Sequence, residues 1–161
     1  MKRLLGIIIL AALLPALSWA EDTPKKVLII PLKQEWRSQD QGFGQELTQT
    51  LANELMKEGD VQPLSGAPFA TVADQKKVDV ARIGRIAQRT QADGVIWGKV
   101  SKLDSGYSLE LSVLDGHSRK PPKVFSATGK DVEELLSRMR DLAANIGTTA
   151  LGRPLIGEIK I

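Results

Sequence analysis

Cysteine is absent from the 161-residue chain, which excludes disulfides, thiol catalysis and a lipid-modified N-terminal cysteine. Histidine occurs once, as His117. One chain therefore cannot build a histidine-based metal cluster or a nucleophilic triad, and His117, between Gly116 and Ser118, reads as a solvated loop residue. Charge of one sign is not in excess: 22 basic side chains face 19 acidic ones. Two of the basic ones, Lys2 and Arg3, fall in the leader described below, so the rest is close to neutral. Basic runs do not exceed pairs such as Lys25-Lys26 and Lys76-Lys77, which a solvated surface explains, and the high isoelectric point is no evidence of nucleic-acid binding. Aromatics make up only 4%.

Long apolar runs are missing except at the start, from Leu4 to Leu17. That run is shorter than the roughly 20 residues a membrane-spanning helix needs, and Pro15 interrupts it. With Lys2 and Arg3 before it and Ser18-Trp19-Ala20 after it, Met1 to Ala20 reads as a cleavable secretory signal peptide, cut before Glu21. The expected location is the periplasm. Residues 21–152 are expected to form a single domain, and residues 153–161 a tail or the start of a further strand.

Within that domain, Val27-Leu28-Ile29-Ile30 is apolar without alternation, as in a strand buried on both faces, and Pro31 ends it. Lys33 to Gln41 reads as a polar loop carrying Trp36. Phe43, Leu47, Leu51 and Leu55 recur every four residues, with Ala52 and Met56 widening the stripe, which predicts an amphipathic helix over 42–58 with Gly59 at its C-terminal cap. Val61 to Leu64 predicts a short strand, and Pro63 assigns it to a sheet edge. Ser65 to Phe69 reads as a loop, and Val72 to Lys77 has no assignable pattern. Asp79 predicts the N-cap of a second helix running to Gln91, with Val80, Ile83, Ile86 and Ala87 inward. Two strands, 94–103 and 107–114, follow, joined at Asp104-Ser105-Gly106 as a hairpin. In the second, Tyr107, Leu109, Leu111 and Val113 alternate with polar residues, so one face meets the core and the other water or a partner. A third strand is expected over 123–127. A last helix is expected to start in Thr128-Gly129-Lys130-Asp131 and to stop between Gly147 and Gly152. The order β-α-β-α-β-β-β-α predicts an α/β (α+β) fold: one mixed sheet with helices packed on it.

Chemistry-bearing motifs are sparse. The pairs Glu133-Glu134 and Glu21-Asp22 suit a helix start and a solvated terminus. Gly42-Phe43-Gly44 precedes a helix, but no Gly-Lys-Ser/Thr accompanies it, so a phosphate-binding loop is not indicated. Trp97 is expected in the core and Trp36 on the surface as a contact residue. No catalytic residue, metal or cofactor is expected.

The strand Val27 to Leu32, the helix start Gly42-Phe43-Gly44-Gln45-Glu46-Leu47, the segment Ala92-Asp93-Gly94-Val95-Ile96-Trp97-Gly98 and the segment Leu111-Ser112-Val113-Leu114-Asp115 together resemble the TolB N-terminal-like domains of bacterial envelope proteins. The resemblance spans roughly residues 26 to 151. Leu32 departs from it, since that family often has phenylalanine there. What the resemblance implies is a non-enzymatic periplasmic module that contacts other envelope proteins. The tail Ile156-Gly157-Glu158-Ile159-Lys160-Ile161 resembles the opening strand of a POTRA domain of a BamA-type outer-membrane assembly factor; an ordinary terminal strand is the alternative. The expected function is therefore a protein-interaction module of the cell envelope, linked to outer-membrane assembly or integrity, with Trp36, Val61 and Leu64 as candidate contacts and strand addition at 61–64 as one route. The second reading is a small-ligand or glycan receptor using Trp36 as a stacking platform. Envelope proteins are the expected partners, nucleic acid is not, and the oligomeric state is open.

Overall fold

The computed structural model describes residues 23–36 and 42–151. The segments read as a signal peptide and as the start of a POTRA-like strand lie outside the described residues. Strand β1 (Lys25–Ile29) buries Val27, Leu28 and Ile29 together, which explains its unbroken apolar run. Because successive side chains of a strand point to opposite faces, Val27 and Ile29 enter one core and Leu28 and Ile30 another.

The first core lies under α1 (Phe43–Lys57) and α4 (Val132–Thr149). Leu47, Leu51 and Leu55 from α1 meet Leu135, Met139, Ala143 and Ile146 from α4 there. The second core lies under the four-residue α2 (Ala70–Ala73) and under α3 (Val80–Thr90), which contribute Val72, Ile83, Ile86 and Ala87. Between the two helical layers runs one mixed sheet in the order β3-β1-β4-β5-β6, with β2 also paired to β4. Here β2 is Lys33–Gln34, β3 is Val61–Ser65, β4 is Gly94–Leu103, β5 is Gly106–Asp115 and β6 is Lys123–Gly129. Strands β1, β2 and β3 form the parallel part, reached through helical crossovers as parallel pairing requires, and β4, β5 and β6 form an antiparallel meander. The mixed α+β architecture expected from the sequence is the one observed, with β1 interior and β3 at an edge.

Several expectations need correction. The polar loop after Leu32 starts with a short strand, β2, because Lys33 and Gln34 pair with Lys99 and Val100 of the long β4. Met56 does not widen the inward stripe of α1: it is 55% exposed, since it follows Leu55 by one residue and so lies about 100° round the helix. Val80, at the first position of α3, is likewise exposed. The loop expected over 65–69 holds the end of β3 and a 3-10 turn (Ala67–Phe69), and the unassigned 72–77 opens with the last two residues of α2 and continues as a turn and bends. Thr128 and Gly129 belong to β6, because the ladder to Ser108 and Tyr107 holds them. The capping box moves three residues on: Asp131 Oδ1 accepts from the Glu134 N–H at 2.8 Å, and Glu134 Oε2 accepts from the Lys130 N–H at 3.0 Å.

Of the two glycines at the start of α1, Gly44 is the one in close contact, since a Cβ at Gly42 would meet nothing within 4 Å. A Cβ at Gly44 would sit 2.5 Å from the Leu32 carbonyl oxygen. The Leu32 N–H donates to Thr48 Oγ1 at 2.9 Å, and that hydroxyl donates to the Gly44 carbonyl at 2.6 Å. The glycine thus permits the first turn of α1 to press on the chain after β1, which accounts for it without a phosphate.

Candidate protein-interaction surface

A sheet that does not close has two edges, and each presents backbone N–H and C=O groups outward. On the β3 side, the Lys25 N–H donates to the Asp60 carbonyl and the Gly66 N–H to the Ile29 carbonyl, both at 2.8 Å. This phase turns the peptide groups of Gln62 and Leu64 toward β1 and those of Val61, Pro63 and Ser65 outward. Pro63 has no N–H, so the middle of that edge lacks its donor.

The β6 edge differs. The Ile30 N–H donates to the Ile96 carbonyl at 2.9 Å and the Glu35 N–H to the Val100 carbonyl at 3.0 Å, so even-numbered residues of β4 face β1 and β2. Odd-numbered residues of β4 then bond β5 in pairs such as Trp97 with Ser112 and Lys99 with Glu110. That leaves the odd-numbered residues of β5 to bond β6, through Leu109 with Ala127 and Leu111 with Phe125. The outward peptide groups of β6 are those of Val124, Ser126 and Thr128. β6 contains no proline, and among the described residues no strand pairs with its outer side.

Beside this edge lies a groove of about 690 Å³ between β6 and the outer flank of α4. Ser126, Ala127, Thr128 and Gly129 form one wall; Glu134, Arg138, Asp141 and Leu142 form the other. Glu134, Arg138 and Asp141 fall at helical spacing and share one face of α4, with Arg138 Nη2 at 3.6 Å from Glu134 Oε1. Leu103, Ser105 and Tyr107 close one end. On the other face of β6, Val124 is 61% exposed, because the α2 and α3 layer covers β1 and β4 and stops short of β6.

The candidate contacts read from the sequence are not brought together. Val61 is 5% exposed in the first core. Leu64 is half-buried and lines a second groove of about 580 Å³ with Met56, Ala52 and Pro63. Trp36 is half-buried, its ring centroid 5.7 Å from Phe43 and 5.8 Å from Tyr107, and those two are 5.6 Å apart. The three rings are tilted by about 50° to one another, an arrangement that aromatic quadrupoles favour. Residues 37–41 of the loop beyond Trp36 lie outside the described residues. Trp97 is buried in the second core, as expected. Sequence reasoning missed the β6 edge and its groove, because which strands end a sheet is a property of topology.

Polar pairs fix the surroundings. The exposed ring of His117 lies with Nε2 at 2.6 Å from Asp93 Oδ1, while Asp93 Oδ2 accepts from the Lys26 N–H at 2.8 Å. The bond to His117, then that to Lys26, holds the Asp93 carboxyl below the usual carboxylate range despite partial burial. Glu35 is lowered in the same way, first by the Ser101 hydroxyl and then by Lys99 and Lys33. Among the described residues, no three His, Asp or Glu side chains converge as a metal site, and no helix is long and apolar enough to cross a membrane.

The fold and the edge define a three-layer α+β domain with one sheet edge available for pairing. No family model matches the chain, and no curated protein matches it in sequence. Among solved structures, a PelC dodecamer from Paraburkholderia phytofirmans aligns with TM-score 0.51 and 16% identity, over 81% of this chain and 90% of that one. The hypothetical protein CT253 from Chlamydia trachomatis aligns with TM-score 0.52 and 11% identity, over 80% and 96%. TolB from Acinetobacter baumannii aligns with TM-score 0.49 and 14% identity, over 80% of this chain and 29% of that one. At these identities the likeness to PelC and CT253 is one of fold.

Proposed function

We propose that this chain is a non-enzymatic protein-interaction module of the bacterial cell envelope, exported to the periplasm, where it docks on another envelope protein. The observation that carries the reading is the outer side of β6, whose peptide groups at Val124, Ser126 and Thr128 face away from β5 beside the α4 groove. Unpaired strand edges are sites where one protein recruits another. The leader at Met1 to Ala20 supports export, and the resemblance to TolB N-terminal-like domains supports the envelope setting. The finer reading, a part in outer-membrane assembly or integrity, rests on the POTRA-like tail. A small-ligand or glycan receptor built on Trp36 has less support, because that ring is engaged with Phe43 and Tyr107.

The test is site-specific crosslinking in cells. A photoreactive amino acid is placed at Thr128, beside the groove, or at the exposed Gln88 of α3, in the full chain with a C-terminal tag. The reading expects a discrete protein adduct from Thr128 in the envelope fraction and none from Gln88. A chain retained in the cytoplasm, or one giving no adduct from any surface position, contradicts it.

A further inference from the structure

We propose that the outer face of α3 docks on a layer of anionic phospholipid headgroups, held there by a stripe of arginines. The inference goes beyond the interaction-module reading and does not use the β6 edge. Arg85 and Arg89 follow Arg82 by three and seven residues on α3. At about 100° per residue the three fall within an arc of roughly 60°. All are exposed, while Ile83, Ile86 and Ala87 of the same helix turn into the second core. Lys76 and Lys77, also exposed, precede the helix. Between Lys76 and Gln91, five basic side chains accompany one carboxylate, Asp79, although the whole chain is nearly balanced in charge. The neighbouring carboxylates are engaged elsewhere. Asp79 Oδ1 accepts from the Arg82 N–H at 3.1 Å as the helix cap, Asp74 Oδ1 lies 2.7 Å from Lys33 Nζ, and Asp93 is bound by His117 and the Lys26 N–H. Among the described residues, no carboxylate pairs with any of the five cations. Arg82 and Arg89 are about 10 Å apart along the helix axis, close to the Debye length at physiological salt, so an opposing surface meets them as one patch.

Shape and composition select the occupant. The face is the convex outside of a helix, whereas a small anion needs a concave site. A protein partner gains affinity from an apolar, aromatic-rich interface core in which charged residues are depleted. The exposed α3 face, Ala81, Arg82, Arg85, Gln88 and Arg89, has no large apolar side chain. A headgroup layer requires neither a pocket nor an apolar core. Each lysine or arginine near it contributes through charge alone, and a guanidinium meets phosphate in a bidentate geometry. The leader at Met1 to Ala20 supports export into the envelope, where the phosphate-rich surface is a membrane rather than a nucleic acid.

The test uses the protein purified from the envelope fraction of expressing cells. It is sedimented with vesicles of phosphatidylglycerol and phosphatidylethanolamine, or of phosphatidylcholine alone. Five cations acting together should give half-binding to the anionic vesicles at on the order of 1 mM lipid at low salt. Arg82→Gln, Arg85→Gln and Arg89→Gln combined should weaken binding about a hundredfold, since each charge contributes about fivefold. The corresponding three lysine substitutions should keep most of it. Glutamine is a good helix former, so the glutamine variant keeps its fold. Removing three charges from the opposite helical layer and sheet face, with Lys57→Gln, Lys102→Gln and Arg140→Gln, should leave binding within about twofold. Because the chain lacks cysteine, Gln88→Cys on α3 or Asn53→Cys on α1, both exposed, gives a single site for a fluorophore. A quencher attached to the lipid headgroups should dim the probe at position 88 and spare the one at position 53, a readout that needs no arginine variant. Equal binding to phosphatidylcholine, equal loss from the two triple glutamine variants, quenching at position 53 instead of 88, or tighter binding to duplex DNA than to anionic vesicles at the same salt each overturns the proposal. The Thr128 crosslink tests the other side of the molecule, so the two readings fail separately.

Discussion

Asp93 ties three segments together at once: the turn before β4, the start of β1 through the Lys26 N–H, and the loop after β5 through His117. Its pKa is lowered in the folded chain. Such a group contributes stability that is present above its unfolded pKa and lost as pH falls through the folded one. Thermal melts from pH 7 to pH 3 should therefore show Asp93→Asn less stable than wild type at neutral pH, with the gap closing below about pH 4. A gap unchanged at pH 3 contradicts this role. Gly44 is the second sensitive residue. Gly44→Ala should cost about 1–3 kcal/mol in urea unfolding, because its Cβ would sit against the fixed Leu32 carbonyl. At this scale the sequence was partly legible. Trp97 in the core follows from its apolar strand. The bond between His117 and Asp93 does not, since residues 24 apart meet only through the path of the sheet. Trp36, in a polar segment, gave no sign that Phe43 and Tyr107 would gather round it.

Elements with strong periodicity were legible, and short ones were not. The four-residue spacing from Phe43 to Leu55 and the alternation from Tyr107 to Val113 are long enough to fix type and face. Two-residue β2 and four-residue α2 carry no period and form because neighbours hold them. The start of α4 is instructive, since both Thr128 and Asp131 satisfy a capping pattern locally and only the ladder of β6 with β5 decides between them. Asp131→Ala should cost about 1 kcal/mol, read as a lower denaturant midpoint with an unchanged slope. Thr128→Ala should cost markedly less, as Thr128 is exposed and makes no cap. Equal losses would return the cap to Thr128.

For the whole molecule, the decisive feature is asymmetry between the two sheet edges. Pro63 marks β3 as an edge already in the sequence, and the strand order places it at one. Nothing local in Lys123 to Gly129 announces that β6 is the other edge, or that α4 leaves a groove beside it. That information resides in strand order, which sequence patterns constrain only loosely. Native-state hydrogen exchange on the free full chain tests the central claim most directly. The account predicts alternation along β6: fast exchange at Val124, Ser126 and Thr128, and slow exchange at Phe125 and Ala127, whose amides bond β5. Slow exchange at all five would mean that the edge is already filled, and would contradict it.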